Sequence, residues 1–274
     1  MNKERNIELL GQAKKEKRID EESYKILVGI AAHIEPSAQM VRAQTVILIP
    51  VMVDDSPSVW EYKNDKAVRE GHNSVIEALK GSQEHASILF RTQYLHGYTH
   101  NNWVKLRDAK SIEEDDYKPV DDTPLYDSTI ELIGSTIIKM QEARDENRTV
   151  RFSGLIISDG EHYIKAEDDR PSVKARKAER VNKVIRDLFD RSNADFQNTL
   201  AFMGIRNKRL ESSGLSFRSV ANSMGIDDER VNKKGQPVMQ IIETYADATS
   251  IRRAFEMFSE FSQTGEITIY GRSR

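Results

Sequence analysis

Asp54, Ser56 and Ser58 occupy alternate positions in Asp54-Asp-Ser-Pro-Ser58, directly after the apolar run Thr45–Val53. A turn that aims one carboxylate and two hydroxyls at the same point offers short, hard oxygen donors, which suit a small divalent cation. Mg²⁺ demands near-octahedral oxygen geometry, so three side chains are an incomplete site and other loops must contribute. Two segments are candidates. Asp121-Asp-Thr-Pro-Leu-Tyr-Asp127 leads into a helical pattern, and Ser158-Asp-Gly-Glu161 follows an apolar stretch. Each segment also has an ordinary explanation. Asp and Ser are favoured helix caps, Thr-Pro suits an N-cap followed by proline at the first helical position, and Asp-Gly is a common turn. Those roles leave the side-chain oxygens free to meet an ion.

The elements that would position these loops follow from hydrophobic periodicity. Thr45–Val53 is nearly continuous apolar sequence, the pattern of a central strand buried on both faces. Pro50 cannot donate a ladder hydrogen bond, which predicts a bulge or break there. Further strands are predicted at Ala86–Tyr94, Trp103–Leu106, Val150–Ile157, Thr199–Met203 and Val238–Thr244. The segment His96–Asn102 reads as a turn. Helical spacing recurs over residues 65–80, 125–142 and 172–190, with a short helix at Ser216–Ser223 and a closing one at Ile251–Phe261. Strands alternating with helices predict an α/β protein: a doubly wound, mostly parallel sheet with helices on both faces. Ligands on such sheets lie beyond the carboxyl ends of the strands. The loops after Val53, before Leu125 and after Ile157 are therefore the ones to inspect. Residues 1–44 are rich in Lys and Glu, carry a helix-like stripe through Tyr24, Leu27, Ala31 and Ile34, and have Asp20 as a candidate N-cap. They read as an N-terminal helical extension. Residues 45–264 then form the main domain and 265–274 a C-terminal tail.

Taken together, Asp54-x-Ser56-x-Ser58 after a strand, Thr123-Pro-Leu-Tyr-Asp-Ser128 opening a helix, and Leu155-Ile-Ile-Ser-Asp-Gly160 resemble the von Willebrand factor A (vWA) domain and its metal-ion-dependent adhesion site. The resemblance covers roughly residues 45–263 and implies a Rossmann-like sheet with one Mg²⁺, or Mn²⁺ or Ca²⁺, at its C-terminal edge. It implies that Ser56, Ser58 and Thr123 ligate through hydroxyls, and that Asp54 and Asp159 contact the ion directly or through water. With few anionic ligands the ion stays electrophilic and can take a carboxylate from a protein partner. Asp55, Trp60, Tyr62, Asp122, Glu161 and His162 flank the three loops and are candidate partner-contact residues. Packing beneath the loop explains Trp60 and Tyr62 equally well. The chain departs from the family at Pro57 between the serines, where a small residue is usual. It departs again at Val59, where Met is common, and at Asp122, where Gly often precedes the threonine.

Composition narrows the alternatives. The 274 residues are 38% hydrophobic and 31% charged, with 41 Lys+Arg against 44 Asp+Glu and a net charge of −3. That balance disfavours broad binding to nucleic acid or an anionic membrane. There is no cysteine, hence no disulfide, thiolate metal site or cysteine nucleophile. The apolar run Ile26–Ala32, broken by Gly29, is far too short to span a bilayer. No secretory pattern opens the chain, so a cytoplasmic protein is expected. Dinucleotide, P-loop, zincin and nucleophile-elbow motifs are absent. His96 and His100 have zinc-like i,i+4 spacing, but Gly97 and two asparagines place them in a loop. The first expectation is thus a metal-dependent protein-binding module rather than an enzyme. A metal-assisted hydrolase or phosphotransferase, with Asp55, Asp122 or Glu161 as base, is the first alternative. A ribonucleoprotein scaffold, touching phosphate through Lys14–Arg18, is the second. The sequence sets no oligomeric state.

Overall fold

The computed structural model describes residues 2–35, 37, 39–61, 63–120, 122–160, 162, 170–192, 198–205, 216–227, 229–231, 237–244, 249, 251, 253–255 and 258. The chain is α/β. Among the described residues six strands form one sheet: β1 (Thr45–Val53), β2 (Ile88–Tyr94), β3 (Thr99–Lys105), β4 (Thr149–Ser158), β5 (Thr199–Ile205) and β6 (Met239–Thr244). Their spatial order is β3-β2-β1-β4-β5-β6, all parallel except β3, which runs antiparallel to β2. The helices are α1 (Asn2–Lys15), α2 (Glu21–Ile30), α3 (Pro57–Glu61), α4 (Asp65–Lys80), α5 (Leu125–Asp145), α6 (Pro171–Ser192) and α7 (Phe217–Ser223).

Strand order puts β1 in the middle, and its near-continuous apolar sequence follows from burial on both faces. Val46, Leu48 and Met52 join a core cluster with residues of α1, α2, α5, α6 and α7. Ile47, Ile49, Val51 and Val53 join a second cluster with Val68, Val75 and Leu79 of α4 and with Ile251, Phe255 and Phe258. The expected bulge at Pro50 does not occur. β1 runs unbroken, Pro50 stays in register with Arg91, and the offset to β4 is the same before and after it. Gly154 stands opposite Pro50 on β4, where a Cβ would lie 3.4 Å from the proline ring. The missing side chain leaves room for the ring.

The N-terminal extension packs onto the domain. Asp20 caps α2, accepting from the backbone N–H of Glu22 and Ser23, and also bonds Lys183 of α6. The side-chain amide of Asn6 donates to the carbonyls of Ala31 and Ile34 at 3.0 and 2.9 Å. The α5 stripe predicted an amphipathic helix, yet α5 is buried on nearly every side because α1 and α2 cover the flank that solvent would otherwise meet. Gly134 makes this approach possible: a Cβ there would lie 3.1 Å from both Leu27 and Ile34.

β3 differs from the predicted strand. It starts at Thr99 and not at Trp103, so the turn after β2 is much shorter than His96–Asn102. The pairing slips twice, with Asn102 and Trp103 together opposite Arg91. Trp103 takes a positive φ of 46° at this bulge and donates from Nε1 to the Ser135 hydroxyl at 2.7 Å. The outer edge of β3 is met by Ser37 and Gln39. The Ser37 hydroxyl donates to the Trp103 carbonyl, and Gln39 Oε1 accepts from the Lys105 N–H.

One buried histidine ties α4 to the sheet. Asn73 Oδ1 accepts from the Ile112 N–H and so takes the Nδ1 proton of His72, at 3.1 Å. Nε2 of the neutral ring is left to accept from the Thr92 hydroxyl at 2.8 Å, which itself accepts from the Asn101 amide at 3.2 Å. Burial pushes this imidazole down to about 4. Its folded value lies below its unfolded one, so its contribution is complete above about pH 6.5 and is lost as the pH falls toward 4. Between pH 7 and 5, wild type should lose about 2 kcal/mol more denaturation free energy than His72→Gln. Parallel pH dependence of the two proteins in urea titrations would contradict this.

Candidate functional site

The carboxyl ends of β1 and β4 are adjacent in the sheet, which brings Asp54 and Asp159 together although 105 positions separate them. The backbone turns directly after Val53, and Asp54 Oδ1 accepts from the Ser56 N–H at 2.8 Å. That bond fixes the turn and places Ser58 in the first turn of α3, a five-residue helix that the sequence analysis did not anticipate. Side chains then connect the two loops. The Ser56 and Ser58 hydroxyls are 2.9 Å apart, and Ser58 donates to Asp159 Oδ2 at 2.7 Å. Ser158 steadies the second loop by accepting from the Gly160 N–H at 3.0 Å.

Asp54, Ser56 and Asp159 are buried. Among the described residues Asp54 Oδ2 has no hydrogen-bond partner. Burial, and secondarily the negative charge of Asp159, push the Asp54 carboxyl up to about 7, opposed by hydrogen bonds from Ser56 and Ser158. A buried carboxylate with one unsatisfied oxygen beside a second carboxylate is costly without a cation or proton. The donor set of two carboxylates and neighbouring hydroxyls is all oxygen, as a hard divalent cation requires. The residues fit such an ion. Among the described residues there is no group of three or more His, Cys, Asp or Glu placed to hold a metal. A site with only two carboxylates would not form such a group.

Thr123 is buried at the entrance to α5, and its carbonyl accepts from the Leu125 N–H at 2.9 Å. The chain on both sides of it is tied to the site. Before it, the Val120 N–H donates to the Asp55 carbonyl at 2.9 Å, and the Tyr117 hydroxyl donates to the Asp54 carbonyl. After it, Tyr126 packs on His162 with ring centroids 4.5 Å apart, and the Ser128 hydroxyl reaches the Leu95 carbonyl. Asp127, in the first turn of α5, bonds Lys177 of α6 at 2.7 Å.

The flanking residues divide. Asp55 is fully buried and does not face a partner: its carboxylate accepts from His96 Nδ1, and also from the His96 N–H at 3.3 Å. Trp60 is partly buried and packs on Tyr117, with centroids 4.5 Å apart, beneath the loop. His162 is buried against Tyr126. Asp122 is half-buried. Tyr62, Glu161 and Asp121 lie outside the described residues. His96 lies in the β2–β3 turn and His100 on β3, where it contacts the Ser111 carbonyl at 3.0 Å. Their zinc-like spacing therefore does not reflect a helix.

The Asp55–His96 pair was missed because its members are 41 residues apart. Only the adjacency of the β1 and β2 ends reveals it. No protein-family model matches this chain, and no curated protein matches it. Among the described residues no helix is long and apolar enough to cross a membrane.

Proposed function

We propose that the chain is a cytoplasmic vWA-type module, with a doubly wound sheet, that binds a protein partner through a divalent cation, Mg²⁺ or Mn²⁺. The observation that carries this reading is the hydrogen-bonded path Asp54–Ser56–Ser58–Asp159 across two strand ends, with one Asp54 oxygen left over inside it. Asp54, Ser56, Ser58, Thr123 and Asp159 would hold the ion. The ion supplies an electrophilic position that a carboxylate of the partner can fill. The protein holds the loops in place before the ion arrives, through Tyr117 and Val120 on one side and Ser158 on the other. Such preorganisation favours tight binding with little rearrangement. A tagged chain should recover a partner in Mg²⁺ and lose it in chelator, and Asp54→Ala should fail in both conditions. Equal recovery in all four experiments would count against the reading.

A second reading, metal-assisted hydrolysis, has one observation in its favour. Asp55 orients the half-exposed imidazole of His96, as a carboxylate orients a general base. Hydrolysis of phosphoesters that disappears in Ser56→Ala would favour it over adhesion.

A further inference from the structure

The parallel strands begin at the opposite edge of the sheet. Residues 41–42 lead into β1, Ala86 precedes β2, and antiparallel β3 ends at Lys105 beside Leu89. Val41, Arg42, Ala86, Lys105 and Arg107 line one cavity of about 400 Å³ there. Three cations from two distant segments share this space, and no acidic residue is among its described lining residues. Arg148 and Arg151 lie at the same edge, but each is neutralised by a carboxylate, Glu146 at 2.8 Å and Glu84 respectively. Among the described residues Arg42 and Lys105 form no ion pair, and Arg107 reaches only its neighbour Asp108, at 3.6 Å.

Converging like charges repel, and the repulsion is relieved when an anion enters. Two guanidinium forks and an ammonium match the tetrahedral oxygens of a phosphate. The volume lies within the range of small-molecule sites, and Val41 and Ala86 add apolar wall. We propose that this cavity binds a small phosphorylated organic molecule of nucleotide size, independently of the metal site at the other edge.

The test uses the full chain with ¹⁵N-labelled amides, in phosphate-free buffer containing chelator so that the metal site cannot take the probe. The probes are adenosine monophosphate and inorganic phosphate. Saturable binding of the nucleotide, tighter than that of inorganic phosphate, is expected, with amide shifts concentrated at residues 41–42, 86 and 105–107. Arg42→Gln/Lys105→Gln should weaken it about tenfold or more, and Asp54→Ala should leave it unchanged. The proposal is overturned by the absence of saturation at about 10 mM nucleotide. Shifts centred elsewhere, or unaltered affinity in the double variant, overturn it too. Equal affinity for the two probes would remove the organic ligand. The shift map is read on the wild-type chain, so it decides the matter even if the variant is unstable.

Discussion

Replacing Asp54 with asparagine is expected to abolish divalent-cation binding and yet to stabilise the metal-free protein near neutral pH. Asparagine keeps an oxygen to accept from the Ser56 N–H but removes a buried negative charge that faces Asp159. Without a cation, the Asp54 carboxyl is held at about 7 against an ordinary 3.8. Its folded value is the higher one, so its favourable contribution is complete below about pH 4 and is lost as the pH rises to 7. The resulting penalty above pH 7 is at most about 4 kcal/mol, and the variant escapes it. Binding moves the other way. A cation must displace a proton from Asp54 at lower pH, so wild-type affinity for Mn²⁺ should rise with pH and level off above about 7. The variant should bind at least about 100-fold more weakly, having lost an anionic donor. Calorimetric titration with Mn²⁺ at pH 6, 7 and 8, beside chelated thermal melts, gives both readouts. Affinity retained within about threefold would remove Asp54 from the site.

Gly71→Ala is the second substitution with a large expected effect, and its sign contradicts helix propensity. In an exposed helix the change would be worth about 1 kcal/mol in favour of alanine. In α4 the new Cβ would lie 2.1 Å from Cδ2 of Phe255, whose ring is buried against the helix. The ring cannot stay where it is, and overpacking of this kind costs about 2–4 kcal/mol. Phe255→Leu makes space, so the double variant should be more stable than the sum of the single changes by about 1–3 kcal/mol. Additive losses in urea titrations would show that Phe255 does not pack on Gly71.

Most of the fold was legible where burial enforces periodicity. The apolar run of β1, the stripes of α4, α5 and α6, and the Asp20 cap could all be read directly, since each pattern reports a face that must leave water. β3 was only half legible. Its first half, Thr99-His-Asn-Asn102, is polar because its side chains bond Arg91, Thr92 and the backbone of residues 110–111 instead of packing in a core. Propensity takes such residues for a turn. Pro50 misled for a related reason: the rule concerns its missing N–H, and only the three-dimensional neighbour, Gly154, shows that the strand continues. At the site, the oxygen-bearing types and their spacing could be read, and the structure places four of the five residues in one network or beside it. Thr123 is tied in through the chain on both sides. What no spacing rule reveals is which side chains turn away. Asp55 sits between two candidate ligands in sequence, but it belongs to His96.

The contacts of Ser37 and Gln39 with β3 bear on how the molecule behaves among its own copies. A terminal strand with free amides and carbonyls is a template on which identical chains can stack into fibres. Here Ser37 and Gln39 occupy two of those positions with side-chain atoms, and Asn102–Trp103 warps the strand besides. The first forty-odd residues thus act as a guard on solubility as well as a cover for α5. A chain shortened to begin at β1 would expose both surfaces together, and its failure to stay dispersed would say nothing about the loops of Asp54 and Asp159 at the far edge.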